Sequence, residues 1–214
     1  MLYNLSSKSS YSYPHGNTHM TYICKIVFLA IFMLFLKVPN VSANPDVWVK
    51  AGLTYRFADG KLTGLKFNWR FDEYFSSRAM QTYDCNQSGV LETAEAERLR
   101  VEIFDPLSKF DYYVHLWVAG EKQTILSIEN FAATIDGAQL VYQFTVALQT
   151  PIDPSVGVII TSLYDQKIVV DFRFFTEDFL LVEGVLDPSC KFSIARGKGA
   201  QSGHPQPITL NCGA

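Results

Sequence analysis

Histidine is scarce: the chain has four in 214 residues, and two of them, His15 and His19, fall near its start. Beyond that segment only His115 and His204 remain, and no Cys-x-x-Cys or His-x-x-x-His pair occurs, so a zinc cage is not written here. Catalytic signatures are missing as well. There is no Gly-x-Ser-x-Gly elbow, no phosphate-cradling glycine-rich loop and no locally supported Ser/His/Asp set, so the chain reads as non-enzymatic. Asp72 and Glu73 are neighbours on an expected helix, where adjacent side chains point apart; capping accounts for the first and solvent for the second. Lysine and arginine do not cluster along the sequence, and their 18 residues are outnumbered by 21 acids. Residues 1–43 carry Lys8, Lys25 and Lys37 and no acid, so the negative excess lies wholly in the remainder. Such a body lacks a phosphate-neutralising surface and is not expected to bind nucleic acid.

Long apolar runs are also absent but for one. From Ile26 to Leu36 about 11 apolar residues lie between Lys25 and Lys37, against the ~20 that a permanent spanning helix needs. Val41-x-Ala43 follows with the small residues of a peptidase site. The reading is a signal peptide within a leader of residues 1–43, cleaved after Ala43 to leave Asn44, with translation starting at Met1 or Met20. No cysteine stands at a lipoprotein position, so no lipid anchor is expected. Export places Cys85, Cys190 and Cys212 in an oxidising space, Cys24 departing with the leader. A Cys190–Cys212 bridge across the Gly/Ser/Pro-rich stretch from Gly197 to Pro207 is expected, leaving Cys85 free with no basic sequence neighbour to lower its pKa.

The apolar fraction of 48% with 14% aromatics is ample for a core, and the length suits one domain. After the leader the chain alternates with the period of two that strands require. Strands are expected over Val47 to Phe57, Leu62 to Phe71, Tyr112 to Val118, Gln123 to Ile128, Leu140 to Leu148, Val156 to Leu163, Ile168 to Phe175, Phe179 to Glu183 and Lys191 to Ala195. Asp59-Gly60 and Asp136-Gly137 mark hairpins. Between them the period becomes helical: Phe71, Phe75 and Ala79, then Leu99, Ile103 and Leu107, are four apart, with Asp72 as N-cap and Pro106 as a breaker. The expected fold is α+β: an antiparallel β domain of two packed sheets over residues 44–196, with an EF-hand-like helix-loop-helix inserted at 72–110 and a flexible tail at 197–214. His115 reads as a surface or half-buried histidine on the more polar sheet face, and Asp165 as a turn residue. His204, in the tail, offers only weak binding of a soft ion.

The one sharp motif runs from Asp84 to Glu95. Calcium wants six to eight oxygens, and this spacing offers Asp84, Asn86 and Ser88 at positions 1, 3 and 5, the Val90 carbonyl at 7, Glu92 through water at 9 and Glu95 at 12. Gly89 permits the sharp turn and Leu91 is apolar as a core anchor would be. With Ser88 replacing a usual carboxylate or amide and no second hand, the expected calcium affinity is roughly 0.1 to 1 mM.

Several segments together resemble a known family. These are Asn44-Pro45-Asp46-Val47-Trp48-Val49, Trp69-x-Phe71-Asp72-Glu73-Tyr74-Phe75-Ser76, the Asp84 to Glu95 loop, Phe110-Asp111-Tyr112-Tyr113, Leu148-x-x-Pro151, Tyr164-Asp165 and Cys190. The family is one of bacterial exported proteins of unknown function, often labelled the periplasmic component of an uncharacterised ABC-type transport system and encoded beside permeases of the nickel/cobalt type. The resemblance implies a periplasmic accessory to divalent-metal transport with such a permease as partner. Where that family's pattern begins His-Pro-His, this chain has Asn44 and Asp46, which removes both imidazoles that a borderline-soft metal prefers. A stand-alone secreted module rigidified by calcium is the other reading, and an enzymatic one rests only on Cys85 and on clustered aromatics that would line a pocket.

Overall fold

In a computed structural model, which describes residues 46–125, 127–167, 169–174, 179–195 and 206–213, Asp59 and Gly60 both take left-handed backbone angles, φ 51° and 73°. That is the two-residue turn whose twist matches paired strands, and it joins β1 (Val47–Ala58) to β2 (Lys61–Phe71) antiparallel. Alternation then decides which face is buried. Val49, Ala51, Leu53 and Tyr55 on β1, and Leu65, Phe67 and Trp69 on β2, are all inward and nearly solvent-free. Leu62 is also buried although its number is even, because a register shift between Leu62 and Gly64 offsets the alternation by one residue. The second expected hairpin forms too: Gly137, at φ 64°, turns β5 (Ser127–Asp136) into β6 (Gln139–Ile152).

β3 (Val114–Val118), β4 (Glu121–Gln123), β7 (Ile159–Leu163), β8 (Val170–Phe174), β9 (Leu180–Glu183), β10 (Lys191–Ile194) and β11 (Ile208–Asn211) complete the two sheets among the described residues. The first has the order β5-β6-β2-β1-β8, with β9 following β8 along β1; the second has the order β10-β11-β7-β3-β4. Gln123 to Ile128, expected as one strand, is divided between the end of β4 and the start of β5, and two larger details also depart from expectation. β8 and β9 run parallel to β1, so the first sheet is mixed. Alternation shows which side of a strand is apolar and says nothing of its neighbour's direction. In addition, Ile208–Asn211, read as tail, is a strand between β10 and β7, with Ile208 and Leu210 fully buried. Its four residues were too short a run beside Pro205 and Pro207 to register as a strand.

The sheets pack face to face. The Tyr55 hydroxyl of β1 donates to Thr161 Oγ1 of β7 at 2.7 Å, and its ring meets Phe192 of β10 at 4.9 Å. Burial holds that phenol well above the ordinary range, so it stays a neutral donor. The expected disulfide joins Cys190 to Cys212, at the same end of the β10–β11 pair. All the described residues belong to one unit, Ala43–Ala214.

Asp72 caps α1 (Glu73–Tyr83), as expected, and does more. One carboxylate oxygen accepts the Phe75 N–H and the other the Trp48 N–H, both at 2.9 Å, so the helix start is tied to β1. α2 (Thr93–Leu99) follows the loop and runs on as a π turn, Arg100–Phe104. Three-ten turns begin at Asp105, with Pro106 in the first of them, and a kink from Phe110 through Tyr112 breaks them before β3. The π turn changes which residue reaches the core: from Leu99 the next buried side chain is Phe104, five residues on, while Ile103 stays 39% exposed. Phe104 inserts among Phe131, Tyr142 and Phe144 of β5 and β6, so the helical insertion covers that end of the first sheet. No helix among the described residues is long and apolar enough to cross a membrane. The leader with its cleavage site, Asn44 and His204 lie outside the described residues.

Candidate functional site

α1 ends at Asp84, whose N–H donates to the Met80 carbonyl at 3.0 Å, and its side chain then organises the loop that follows. The two carboxylate oxygens accept the Ser88 and Gly89 N–H groups, each at 2.9 Å. Gln87 and Gly89 take left-handed angles, φ 57° and 82°, which turn the chain back on itself. Asn86 Oδ1 also accepts from the Ser88 N–H at 3.0 Å, and its Nδ2 donates to Glu92 Oε1 at 3.0 Å. Ser88 Oγ donates to the Val90 carbonyl at 3.2 Å. At the far end Glu95 accepts the Cys85 N–H at 2.8 Å with one oxygen and the Glu92 N–H at 3.0 Å with the other, closing a capping box at the start of α2. Leu91 packs against the core, as expected for an anchor.

The six residues singled out by spacing thus run from the end of α1 through the exposed loop into the first turn of α2 and are knitted to one another. Each carboxylate oxygen of Asp84 and Glu95 accepts a backbone N–H, Glu92 Oε1 accepts from the Asn86 amide, and each of these oxygens keeps a further lone pair. The donor set is one of hard oxygens: carboxylates, an amide, a hydroxyl and a carbonyl. Among the described residues no three His, Cys, Asp or Glu side chains gather closely enough to hold a metal ion, so an ion here would depend on Asn86, Ser88 and the Val90 carbonyl as much as on carboxylates.

Cys85 is free and exposed, and its surroundings differ from expectation. No base flanks it in sequence, yet Arg98 Nη1 comes within 3.6 Å of its sulfur from the last turn of α2. That guanidinium also pairs with Glu102 at 3.0 Å and lies over the Tyr83 ring at 5.1 Å. Its hydrogen bond holds the Glu102 carboxyl below its usual range, while burial and then Glu102 push the Tyr83 phenol up.

A second constellation escaped the sequence reading. His115 is not a surface or half-buried histidine: it is 4% exposed on β3, stacked on Tyr164 with centroids 3.8 Å apart. Its Nε2 faces the Tyr164 carbonyl at 3.2 Å. A carbonyl only accepts, so the proton sits on Nε2 and the Nδ1 lone pair is left without a hydrogen-bond partner. Burial lowers the ring's pKa, with the Tyr164 carbonyl acting in the opposite sense. The histidine lines a cavity of about 190 Å³ with Tyr113, Asp111, Lys122 and Asp165. Asp111, Tyr112 and Tyr113 all take left-handed angles near 53°, 51° and 55°, which stores backbone strain at the rim and explains why β3 begins at Val114 rather than Tyr112. Asp165 makes the turn read from its sequence, its carboxylate accepting the Lys167, Val169 and Val170 N–H groups. The run of Tyr-Tyr before His115 was the available signal, but it looked like more strand.

Residues 28–210 match the family described as Protein of unknown function (DUF1007), and the chain belongs to that family. No curated protein matches the chain.

Proposed function

We propose that this member of a family without an assigned activity is a non-enzymatic, exported accessory protein of a divalent-metal transport system, whose Asp84–Glu95 segment is an EF-hand-like, weak calcium site. One observation carries the site: the carboxylates at the first and twelfth positions turn inward onto the same short backbone, Asp84 taking Ser88 and Gly89, and Glu95 taking Cys85. In that arrangement Asp84, Asn86, Ser88, the Val90 carbonyl and Glu95 hold the ion, Glu92 acts through water, and calcium supplies the central charge that locks α1 to α2. The Cys190–Cys212 bridge supports residence in an oxidising compartment, the Val41-x-Ala43 pattern after the apolar run supports cleavage after Ala43, and the resemblance described above supports the periplasm and a nickel/cobalt-type permease as partner.

Calcium titration followed by calorimetry and melting temperature tests the site. At a Kd of 0.1 to 1 mM, about 10 mM calcium stabilises the folded chain by roughly 1.4 to 2.7 kcal/mol. Glu95→Gln is expected to abolish the response, and no heat and no melting shift in the unmodified chain sinks the proposal. A stand-alone calcium-stabilised module is the competing reading, favoured by the exposure of residues 85–90 at the tip of the loop. Pull-down of the exported chain from membranes separates the two: a co-purifying multi-pass permease supports the accessory role.

A further inference from the structure

Alternation along β3 places His115 on the face opposite Val114 and Leu116, directly across from Ser162 on β7. The two side chains are 4% and 3% exposed, and neither is satisfied. The Tyr164 carbonyl takes the Nε2 proton of His115, which leaves its Nδ1 lone pair unused, and the Ser162 hydroxyl has no hydrogen-bond partner among the described residues either. Buried polar groups are nearly always hydrogen-bonded, so two unbonded ones side by side call for a ligand atom that serves them. Opposed Cβ atoms on paired strands are about 5 Å apart, so a single oxygen reaches both.

The way in is the cavity of about 190 Å³ that His115 lines. Segments distant in sequence close it: Phe110, Asp111 and Tyr113 come from the kinked turns before β3, Tyr164 and Asp165 from the chain after β7. Asp111, Tyr112 and Tyr113 are three successive left-handed residues, a strained geometry of the kind kept at ligand sites. Most of the charges around the cavity are already engaged. Asp111 pairs with Lys122 at 2.8 Å, the Asp165 carboxylate takes three backbone N–H groups of its own turn, and the Lys167 ammonium lies over the Phe110 ring at 5.7 Å. Lys109 also lines the cavity and has no ion pair or hydrogen bond among the described residues. Three lysines against two aspartates leave one positive charge in excess. An ammonium ligand is disfavoured by that excess. A hydroxyl suits it, since it donates to Nδ1 and accepts from Ser162, and an attached carboxylate balances the charge.

We propose that this cavity binds a small hydroxylated carboxylate, its hydroxyl donating to His115 Nδ1 beside Ser162 and its carboxylate meeting Lys109. The proposal is independent of the calcium loop, whose ligands lie between Asp84 and Glu95. Calorimetry on the full chain at matched ionic strength compares lactate with propionate, which lacks the hydroxyl, and with propane-1,2-diol, which lacks the charge. Lactate is expected to bind saturably and about tenfold or more tighter than either analogue, because a site built to bond a hydroxyl rejects an analogue without one. Lys109→Gln is expected to weaken lactate about tenfold. His115→Phe keeps a ring against Tyr164 and removes the lone pair, which is expected to bring lactate down to the affinity of propionate. Should that variant fail to fold, the three-ligand comparison and Lys109→Gln carry the test. The proposal is overturned if lactate gives no saturable heat at about 50 mM, a concentration that reveals even millimolar affinity, or if propionate or the diol binds as tightly as lactate. Unchanged lactate binding in Lys109→Gln or in folded His115→Phe overturns it as well.

Discussion

Replacing Phe104 by alanine is the sharpest test of how the helical insertion is held. Phe104 is 1% exposed and meets four rings, Phe131 at 4.2 Å, Phe144 at 5.0 Å, Tyr112 at 5.2 Å and Tyr142 at 5.8 Å between centroids. Truncating a phenylalanine so enclosed costs about 3 to 5 kcal/mol, the sum of lost transfer energy and the cavity left behind. Ile103, one residue earlier, is 39% exposed, so Ile103→Ala should cost no more than about 1 kcal/mol. A regular α-helix continuing from Leu99 would reverse that order, because i+4 places Ile103 inward. Urea denaturation measures both: with an m-value of roughly 2 kcal/mol/M, Phe104→Ala lowers the midpoint by about 1.5 to 2.5 M and Ile103→Ala by about 0.5 M or less. A larger loss for Ile103→Ala than for Phe104→Ala refutes the π turn and the anchoring role assigned to Phe104.

Acid should weaken the fold through His115. Burial depresses its pKa below the ordinary 6.5, so the folded ring is neutral where the unfolded chain already binds a proton. Its contribution is complete above pH 6.5 and declines as pH falls below that value, until the folded ring itself protonates. His115→Gln should flatten this part of the pH–stability profile measured by denaturation, and a profile in which the unmodified chain gains stability on acidification relative to the variant refutes the assignment. The disulfide closes a loop across 22 residues of sequence, which the chain-entropy model values at about 3 kcal/mol. Cys190→Ser with Cys212→Ser should lower stability by that order in oxidising buffer, with no further effect of reductant; a double variant as stable as the oxidised parent would argue against the bridge.

Much of the fold was legible because the relevant physics is local. Asp59-Gly60 takes left-handed angles at both residues, Gly137 takes one directly after Asp136, the last residue of β5, and both hairpins form. Asp72 followed by an amphipathic run announces a helix start, and its carboxylate accepts the Phe75 N–H. The ligand-spaced loop between two helices was likewise visible, since Asp84, Gly89 and Glu95 shape it through bonds spanning only a few residues. His115 was misjudged for the opposite reason. Its burial depends on Tyr164, which is 49 residues away and reaches it only because β7 pairs with β3. Cys85 acquired its arginine neighbour in the same way, through the return of the chain across the loop into α2.

The alternation of apolar side chains, the turn residues and the cysteine spacing determined by themselves that this chain makes β-sheets with an inserted pair of helices and one cross-link. Only the tertiary structure decided that β8 and β9 lie parallel to β1 and that Ile208–Asn211 enters the second sheet. Backbone hydrogen bonds between strands are blind to side-chain identity, so a strand's own pattern says which face it buries and leaves the choice of neighbour to the packing of the whole core.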